Sequence, residues 1–384
     1  MTSYITYAIS KYKENDTSCS PVKGAEGKKG EKKYMQIAGA KEKLSSIVEQ
    51  GKEKFEAALE NIQREFDQRR DIIVKPEALK YAAGSLGIQM QVRGEGYYVP
   101  THYSEGELYT RLHVPRQYIN TLQEATLYDL TALTLSRLTR QFAGDGLLLR
   151  TVFDTAKGIL TPSYKRIDAA PIMTAYIQTA VEYGLVPYKA YNTDYRYHIE
   201  MIYSQVFEPI SGEFMVYGTS LTTSDYGASA LKLELMALRV VCTNLAVGSD
   251  VFKRVHIGSR FESDKEIVEL SRETIELDNA TIASAMKDTT RMLPTYFKKL
   301  SETIKAANNQ ELTTEQAMDL IKKYLTKEQL NSARIYFNTP ADVEVLPPTK
   351  SKWRLSNVLS LMAQITESDD QRLDLQNLAM GVMA

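Results

Sequence analysis

The sequence predicts an α+β protein, in which an antiparallel-rich sheet core with a hairpin and a helix is flanked by helical N- and C-terminal regions. Apolar residues recur at helical spacing in the first part of the chain, alternate in the middle, and return to helical spacing at the end. Aromatic and β-branched residues are frequent in the alternating part, as is typical of strands. These patterns divide the chain into a flexible arm (1–34), an amphipathic charged helix (35–75), a helical region (76–146), a β-rich core (147–260) and a helical C-terminal region (261–384).

The first two segments differ in their apolar content. Residues 1–34 are polar and carry seven lysines against four acidic residues, which predicts a flexible arm. The next segment has one apolar stripe, so we expect it either to pack on its own domain or to pair with a second copy. The stripe spans too few heptads to favour a coiled coil. Its members are Leu44, Ile47, Val48, Phe55, Leu59, Ile62 and Phe66.

Residues 76–146 are predicted to be mainly helical. Pro76 suits the first turn of a helix. A second helix is indicated from Tyr128 to Phe142, where leucines recur at helical spacing, and Gly144 and Gly146 follow as its stop signal.

The β-rich core is predicted to begin with a hairpin whose turn covers residues 154–158. Asp168 is predicted to cap a helix that ends near Gly184. The C-terminal region contains a capping-box pattern, with Thr313 as the cap and Gln316 as its partner. Further strands are predicted at 186–191, 195–207, 213–222 and 255–257, and C-terminal helices at 265–277, 279–308, 313–325, 355–364 and 371–380.

Composition excludes several classes of protein. The net charge of −1 argues against a histone-like polybasic protein. Cys19 and Cys242 are too far apart in sequence to indicate a disulfide framework or a metal motif. The chain shows neither a signal peptide nor a long apolar run, so we expect a cytoplasmic protein with no membrane partner.

Motifs for catalysis are missing from the sequence. There is no G-x-x-x-x-G-K-[ST] loop, no G-x-S-x-G elbow and no histidine pair at zinc spacing. We therefore expect no cofactor and no small-molecule substrate, and regard an enzyme as unsupported.

One stretch has the composition of a nucleic-acid interface. Residues 131–166 carry six positive side chains against two negative ones. Cations that neutralise phosphates and aromatic rings that stack on bases are the basis of sequence-tolerant single-strand binding. An ordinary solvated sheet face is the alternative interpretation. The candidate nucleic-acid-binding residues are Arg137, Arg140, Arg150, Lys157, Tyr164, Lys165 and Arg166.

Several ordered phrases resemble a phage- and plasmid-borne family of unknown function, known as phage/plasmid-like proteins. The most distinctive are Arg239-Val240-Val241-Cys242-Thr243-Asn244 and the W-x-x-x-N phrase from Trp353 to Asn357. The family usually has a glycine after the first phrase, where this chain has Leu245. Others are Leu112-His113-Val114-Pro115-Arg116-Gln117-Tyr118, Leu148-Leu149-Arg150-Thr151, Ser163-Tyr164-Lys165-Arg166-Ile167-Asp168 and Ser224-Asp225-Tyr226-Gly227-Ala228-Ser229.

The resemblance implies a protein of a bacterial cytoplasm that acts in phage or plasmid DNA metabolism. The order of elements is also broadly similar to the core of strand-annealing proteins, which is an analogy of fold alone. We therefore predict a homo-oligomeric protein that binds single-stranded DNA and takes part in strand annealing and DNA recombination. In this hypothesis Arg239 anchors the fold by pairing with Glu234 or Asp225.

Two alternatives remain open. One is a self-associating phage structural or host-interaction protein without nucleic-acid binding, in which removal of residues 1–75 abolishes assembly and leaves the rest folded. The other is an enzyme acting on nucleic acid through a site that carries no recognisable motif.

Overall fold

The computed structural model describes residues 28–85, 87–144, 146–239, 244–254, 271–340 and 346–383. Most of the predicted arm, both cysteines and the predicted strand at 255–257 lie outside the described residues, as does the centre of the Arg239–Asn244 phrase.

The first described element is the predicted amphipathic helix, α1 (Lys28–Gln68). Five residues of its stripe are buried: Leu44 and Val48, together with Phe55, Leu59 and Ile62, which join the largest apolar core. The helix therefore packs on its own chain. It ends seven residues before the predicted boundary, because β1 (Arg69–Val74) continues directly from it and carries two adjacent isoleucines suited to a strand.

The first sheet has six strands in the order β1-β5-β6-β4-β3-β2. Neighbours are antiparallel except β4 and β6, which run parallel. The strands β5 and β6 form the predicted hairpin with a tighter turn, because only Phe153 and Asp154 connect them. Its remaining strands are β2 (Leu79–Gly84), β3 (Gly87–Val92), β4 (Gly96–Pro100), β5 (Leu147–Val152) and β6 (Thr155–Leu160).

The prediction that residues 76–146 are mainly helical is wrong in its first third. Pro76–Ala78 is a single 3₁₀ turn, and the chain then forms β2, β3 and β4. Burial alternates along these strands, with Ile88, Met90 and Val92 facing the core. The helical part begins at α2 (His102–Arg111), and continues with α3 (Arg116–Glu124) and α4 (Tyr128–Phe142).

The second sheet has the strand order β12-β11-β10-β8-β7, with β9 paired to β10. The helix α5 (Ala169–Glu182) precedes it and begins directly after Asp168, as predicted. However, Asp168 does not cap it through its side chain; the Ala169 amide donates instead to Asp225 Oδ1 at 2.8 Å. The strands are β7 (Leu185–Asn192), β8 (Tyr197–Tyr203), β9 (Phe207–Ile210), β10 (Glu213–Thr223), β11 (Leu231–Arg239) and β12 (Asn244–Arg254).

The described part of the C-terminal region is helical as predicted, but the break expected at residue 278 lies instead at Met292, because one helix runs without interruption from Arg272 to Arg291. The capping box at Thr313 and Gln316 is present, and a second one at Thr326 and Gln329 begins a helix that the sequence pattern did not predict. The helices are α6 (Arg272–Arg291), α7 (Leu293–Asn309), α8 (Thr314–Ile321), α9 (Lys327–Asn338), α10 (Lys352–Gln364) and α11 (Asp369–Gly381).

Three apolar cores hold these elements together. The largest joins α1, α5 and the C-terminal helices to one face of the second sheet. Another lies between the first sheet and α2, α3 and α4. The smallest packs Leu44 and Val48 of α1 on the other face of the second sheet. The helix α1 therefore contributes to two of the three cores.

Candidate functional site

The structure separates the seven predicted nucleic-acid-binding residues by exposure. Arg137 and Arg140 are exposed on α4, whereas Tyr164 is half-buried and burial raises the pKa of its phenol. The remaining four cations each lie against a carboxylate of this chain. They are Arg150 with Asp71, Lys157 with Glu65, Lys165 with Asp278 and Arg166 with Asp71.

Arg150 lies at the centre of a buried ion network. Its side chain is 0% exposed, with Nε 2.8 Å from Asp71 Oδ1 and Nη2 3.0 Å from Asp168 Oδ1. Arg69 contacts the same Asp168 Oδ1 at 2.8 Å and joins it to Asp225, whose Oδ2 lies 2.8 Å from the Arg69 guanidinium. A phosphate would have to displace these carboxylates to reach Arg150, so this residue holds the fold together rather than presenting charge to solvent.

The pKa values of the two buried aspartates in this network are shifted in opposite directions. Burial raises the pKa of Asp168, but the guanidinium groups of Arg69 and Arg150 outweigh burial and hold it below its ordinary value. For Asp225, burial dominates and the neighbouring Asp168 adds to it, so the pKa lies above its ordinary value despite the same two arginines. The two carboxylates therefore differ in how far the arginines that they share offset burial.

A second buried network joins α1 to both sheets. The carboxylate of Glu65 accepts hydrogen bonds from Lys157 of β6, from Tyr197 of β8 at 2.6 Å and from Tyr226 at 2.7 Å. Burial raises the pKa of Glu65, but the hydrogen bonds from Lys157 and Tyr197 outweigh it, so the pKa is lowered overall. Lys157 is thus occupied by an internal partner.

An open cleft of about 790 Å³ lies beside the Arg150 network, between the end of α1, α5 and α6. Three arginines line it, together with the four carboxylates of Asp67, Asp71, Asp168 and Glu276. The carboxylates outnumber the cations, so the cleft has no excess positive charge for a phosphate. Its composition does not favour the predicted nucleic-acid groove.

A hydroxyl–imidazole–carboxylate chain lies in the second sheet. His198 is hydrogen-bonded to Thr222 at 2.7 Å and to Glu200 at 2.9 Å. This order of groups is that of a nucleophile, a base and an orienting acid. His198 is 0% exposed and Glu200 is 1% exposed, so no substrate reaches the imidazole in this conformation.

Arg239 is buried and anchors the second sheet. Its guanidinium donates two hydrogen bonds to the carboxylate of Glu213, one of them at 2.8 Å. Asp225, a predicted partner, is instead bound by Arg69 and Arg150. The anchoring role is therefore as expected, while the sequence did not identify Glu213, which reaches Arg239 through the pairing of β10 and β11.

The first sheet has an open face that sequence reasoning missed. One face of β2, β3 and β4 packs on the helices, and the other is exposed. Strand register places Lys80, Gln91 and Tyr97 side by side across this exposed face. The Tyr97 side chain is 58% exposed, and its hydroxyl accepts a 3.0 Å hydrogen bond from Gln91. We call these three residues the cross-strand row.

Two further apolar residues adjoin this row. Val99 lies two positions beyond Tyr97 on the same strand face and is 43% exposed. Its amide donates to the carbonyl of Asp154, which brings the turn between β5 and β6 next to β4. Phe153 in that turn is 62% exposed and has φ +53°, a conformation that is costly for a bulky residue. A second exposed aromatic residue, Phe153, thus lies in the turn next to the strand that carries Tyr97.

The alternation of apolar and polar residues along positions 79–92 was the sequence signal that could have revealed this face. Lys80 and Gln89 alternate with Leu79, Tyr81 and Ile88 in the sequence, which is the period of a half-buried strand. The register that aligns Lys80 with Tyr97 depends on two turns and was not readable from the pattern.

Comparisons with protein-family models, with curated proteins and with solved structures found no match to this chain. The resemblance to phage/plasmid-like proteins therefore stays a prediction. In the described residues, no group of three or more His, Cys, Asp or Glu side chains could hold a metal ion. None of the helices in that part of the chain is both long and apolar enough to span a membrane.

Proposed function

We propose that the protein binds single-stranded nucleic acid on the open face of its first sheet. The observation that carries this proposal is the cross-strand row of Lys80, Gln91 and Tyr97. A cation, an amide and an exposed aromatic ring stand side by side on three neighbouring strands about 4.8 Å apart. These groups suit a phosphate, a base edge and a base face, respectively.

Single-stranded rather than duplex nucleic acid fits this face, because its aromatic rings are only useful to bases that are unstacked and exposed. Phe153 offers a second ring beside β4, and Arg93 adds an exposed cation at the end of β3. The number of cations is small, so we expect only one or two phosphates to be neutralised and a modest dependence of affinity on salt.

The cations that the sequence predicted as nucleic-acid contacts do not contact the nucleic acid in this proposal. Arg150, Lys157, Lys165 and Arg166 stay in their ion pairs. Arg137 and Arg140 lie on α4, which packs on the opposite side of the first sheet from the cross-strand row. Strand annealing and DNA recombination rest on the analogy in the order of elements, and a phage or plasmid origin rests on the sequence resemblance alone.

Fluorescence anisotropy of a labelled oligothymidylate tests the proposal. Tyr97→Ala should weaken binding by roughly 5- to 150-fold, which corresponds to the loss of about 1–3 kcal/mol from one stacked base. Lys80→Gln should weaken binding and reduce its salt dependence. The matched control is Tyr118→Ala, because Tyr118 is also exposed (45%) and lies on α3.

Equal affinity of the wild type and Tyr97→Ala would contradict the proposal. So would an absence of binding at low salt, and this result would favour the self-associating interaction protein. Tighter binding of duplex than of single strands would also oppose it, because a duplex does not expose its base faces.

A further inference from the structure

The helix α4 has an outer face with large exposed apolar residues. Its inner side packs on the first sheet through Thr131, Leu135 and Thr139, which are buried. On the other side Leu130 and Leu133 are 42% and 47% exposed. An ordinary surface helix places polar residues there, so exposed leucines at adjacent positions of one face indicate contact with a partner.

Charged residues lie on both sides of these leucines along the helix, negative at one end of the face and positive at the other. Asp129 lies at the start of the face, and Arg137 and Arg140 lie at its end. All three are exposed, and within the described parts of the chain none of them takes part in a salt bridge. Their charges are therefore available to a partner.

The spacing makes this face complementary to itself. Asp129 and Arg140 are eleven residues apart, about three helical turns, so they lie on one line of the helix with Leu133 between them. In an antiparallel pair related by a two-fold axis, Asp129 of each copy lies opposite Arg140 of the other. Leu133 then lies near the axis, and Leu130 faces the aliphatic part of Arg137.

We propose that the outer face of α4, formed by Asp129, Leu130, Leu133, Arg137 and Arg140, is a homodimer interface in which two copies of α4 pair antiparallel. The occupant is a second copy because pairing the face with itself sets both Asp129 carboxylates opposite both Arg140 guanidiniums and brings the exposed leucines together. A single pair of helices forms a small interface, so we expect a dimer that dissociates at micromolar concentrations. This inference is independent of the nucleic-acid proposal, since the open sheet face lies on the other side of the first sheet.

Analytical ultracentrifugation of the full chain across a concentration series provides the test. The wild type should be dimeric at high micromolar concentration. Asp129→Arg and Arg140→Asp should each be monomeric, because each places like charges opposite one another twice. Leu133→Glu should also be monomeric, whereas Leu320→Glu, a charge added at an equally exposed leucine (42%) on α8, should dimerise like the wild type.

Two rescue measurements separate this interface from a general loss of folding. The double variant D129R/R140D exchanges both charges and should recover the dimer. A mixture of the two single variants should form a heterodimer. One copy then carries arginine at both positions 129 and 140, and the other carries aspartate at both. Circular dichroism checks that every variant is folded.

Three results would overturn the proposal. They are a wild type that stays monomeric at high micromolar concentration, a dimer that persists in folded Leu133→Glu, and single charge variants that are not rescued by mixing.

Discussion

Arg150 shows how a residue predicted for the surface becomes part of the interior. Strand register places it directly opposite Asp71, and the chain brings Asp168 and the carbonyl of Asp225 to its other nitrogens. A fully buried guanidinium is tolerated only when every charge near it is paired. Removal of Arg150 leaves Arg69 and Arg166 as the remaining cations beside three carboxylates.

Arg150→Met should therefore lower the free energy of unfolding by about 3–5 kcal/mol, because Asp71 and Asp168 each lose a buried charge partner and the carbonyl of Asp225 loses its donor. Urea unfolding measures this value. Arg70→Met is the matched control: Arg70 is also ion-paired, but its side chain is 65% exposed, and we expect a change within about 0.5 kcal/mol. Similar losses of unfolding free energy in both variants would show that burial does not determine how much these ion pairs contribute to stability.

Glu65 makes stability depend on pH in the acidic range. Its pKa in the folded protein lies below the ordinary 4.5, because its hydrogen bonds to Lys157, Tyr197 and Tyr226 outweigh burial. Its contribution is therefore complete above the unfolded value and is lost as pH falls through the folded pKa.

The difference in unfolding free energy between the wild type and Glu65→Gln should thus be largest near neutral pH and shrink below pH 4.5. Urea titrations at several pH values measure it. A difference that stays constant from neutral to acidic pH would mean that Glu65 has no shifted pKa.

At the scale of elements, α1 depends on a glycine for its contact with the second sheet. A Cβ at Gly51 would lie 2.1 Å from the carbonyl oxygen of Tyr188 in β7. The helix and the strand can approach this closely because position 51 has no side chain. Gly39 on the same helix has no atom within 4 Å of the corresponding position.

Gly51→Ala should lower the free energy of unfolding by about 1–3 kcal/mol, because the helix must move away from β7. Gly39→Ala should raise it by up to about 1 kcal/mol, since alanine has the higher helix propensity. Thermal unfolding of both variants compares them. Stabilisation by Gly51→Ala would show that α1 does not need to approach the Tyr188 carbonyl of β7 this closely.

At the scale of the whole molecule, α1 connects regions that are distant in sequence. It contributes Phe55, Leu59 and Ile62 to the largest core, and Glu65 links it to both sheets. The interaction-protein hypothesis treated residues 1–75 as separable, but this packing shows that α1 belongs to the fold.

Deletion of residues 1–68 should therefore abolish cooperative unfolding and expose apolar surface, instead of leaving a folded remainder. Denaturant unfolding together with binding of a hydrophobic dye measures both effects, with the full chain as reference. A truncated chain that unfolds in one sharp transition without binding the dye would contradict this prediction.

The sequence by itself determined the features that depend on neighbours along the chain. The α+β class, the apolar stripe of α1, the helix from Tyr128 to Phe142 and the capping box at Thr313 all follow from local periodicity and local hydrogen bonds. The hairpin from Leu147 to Leu160 was local in the same sense, although its turn is shorter than predicted.

Only the tertiary structure decided which charges face solvent. Arg150 meets Asp71 and Asp225, and Lys157 meets Glu65, across separations of 75 to 92 residues. No local pattern encodes such pairs, because they depend on strand register and on how α1 lies across both sheets. Strand register likewise set Lys80, Gln91 and Tyr97 in one row. Packing left Arg137 and Arg140 exposed, since burial is a property of the packed chain and not of the residue type.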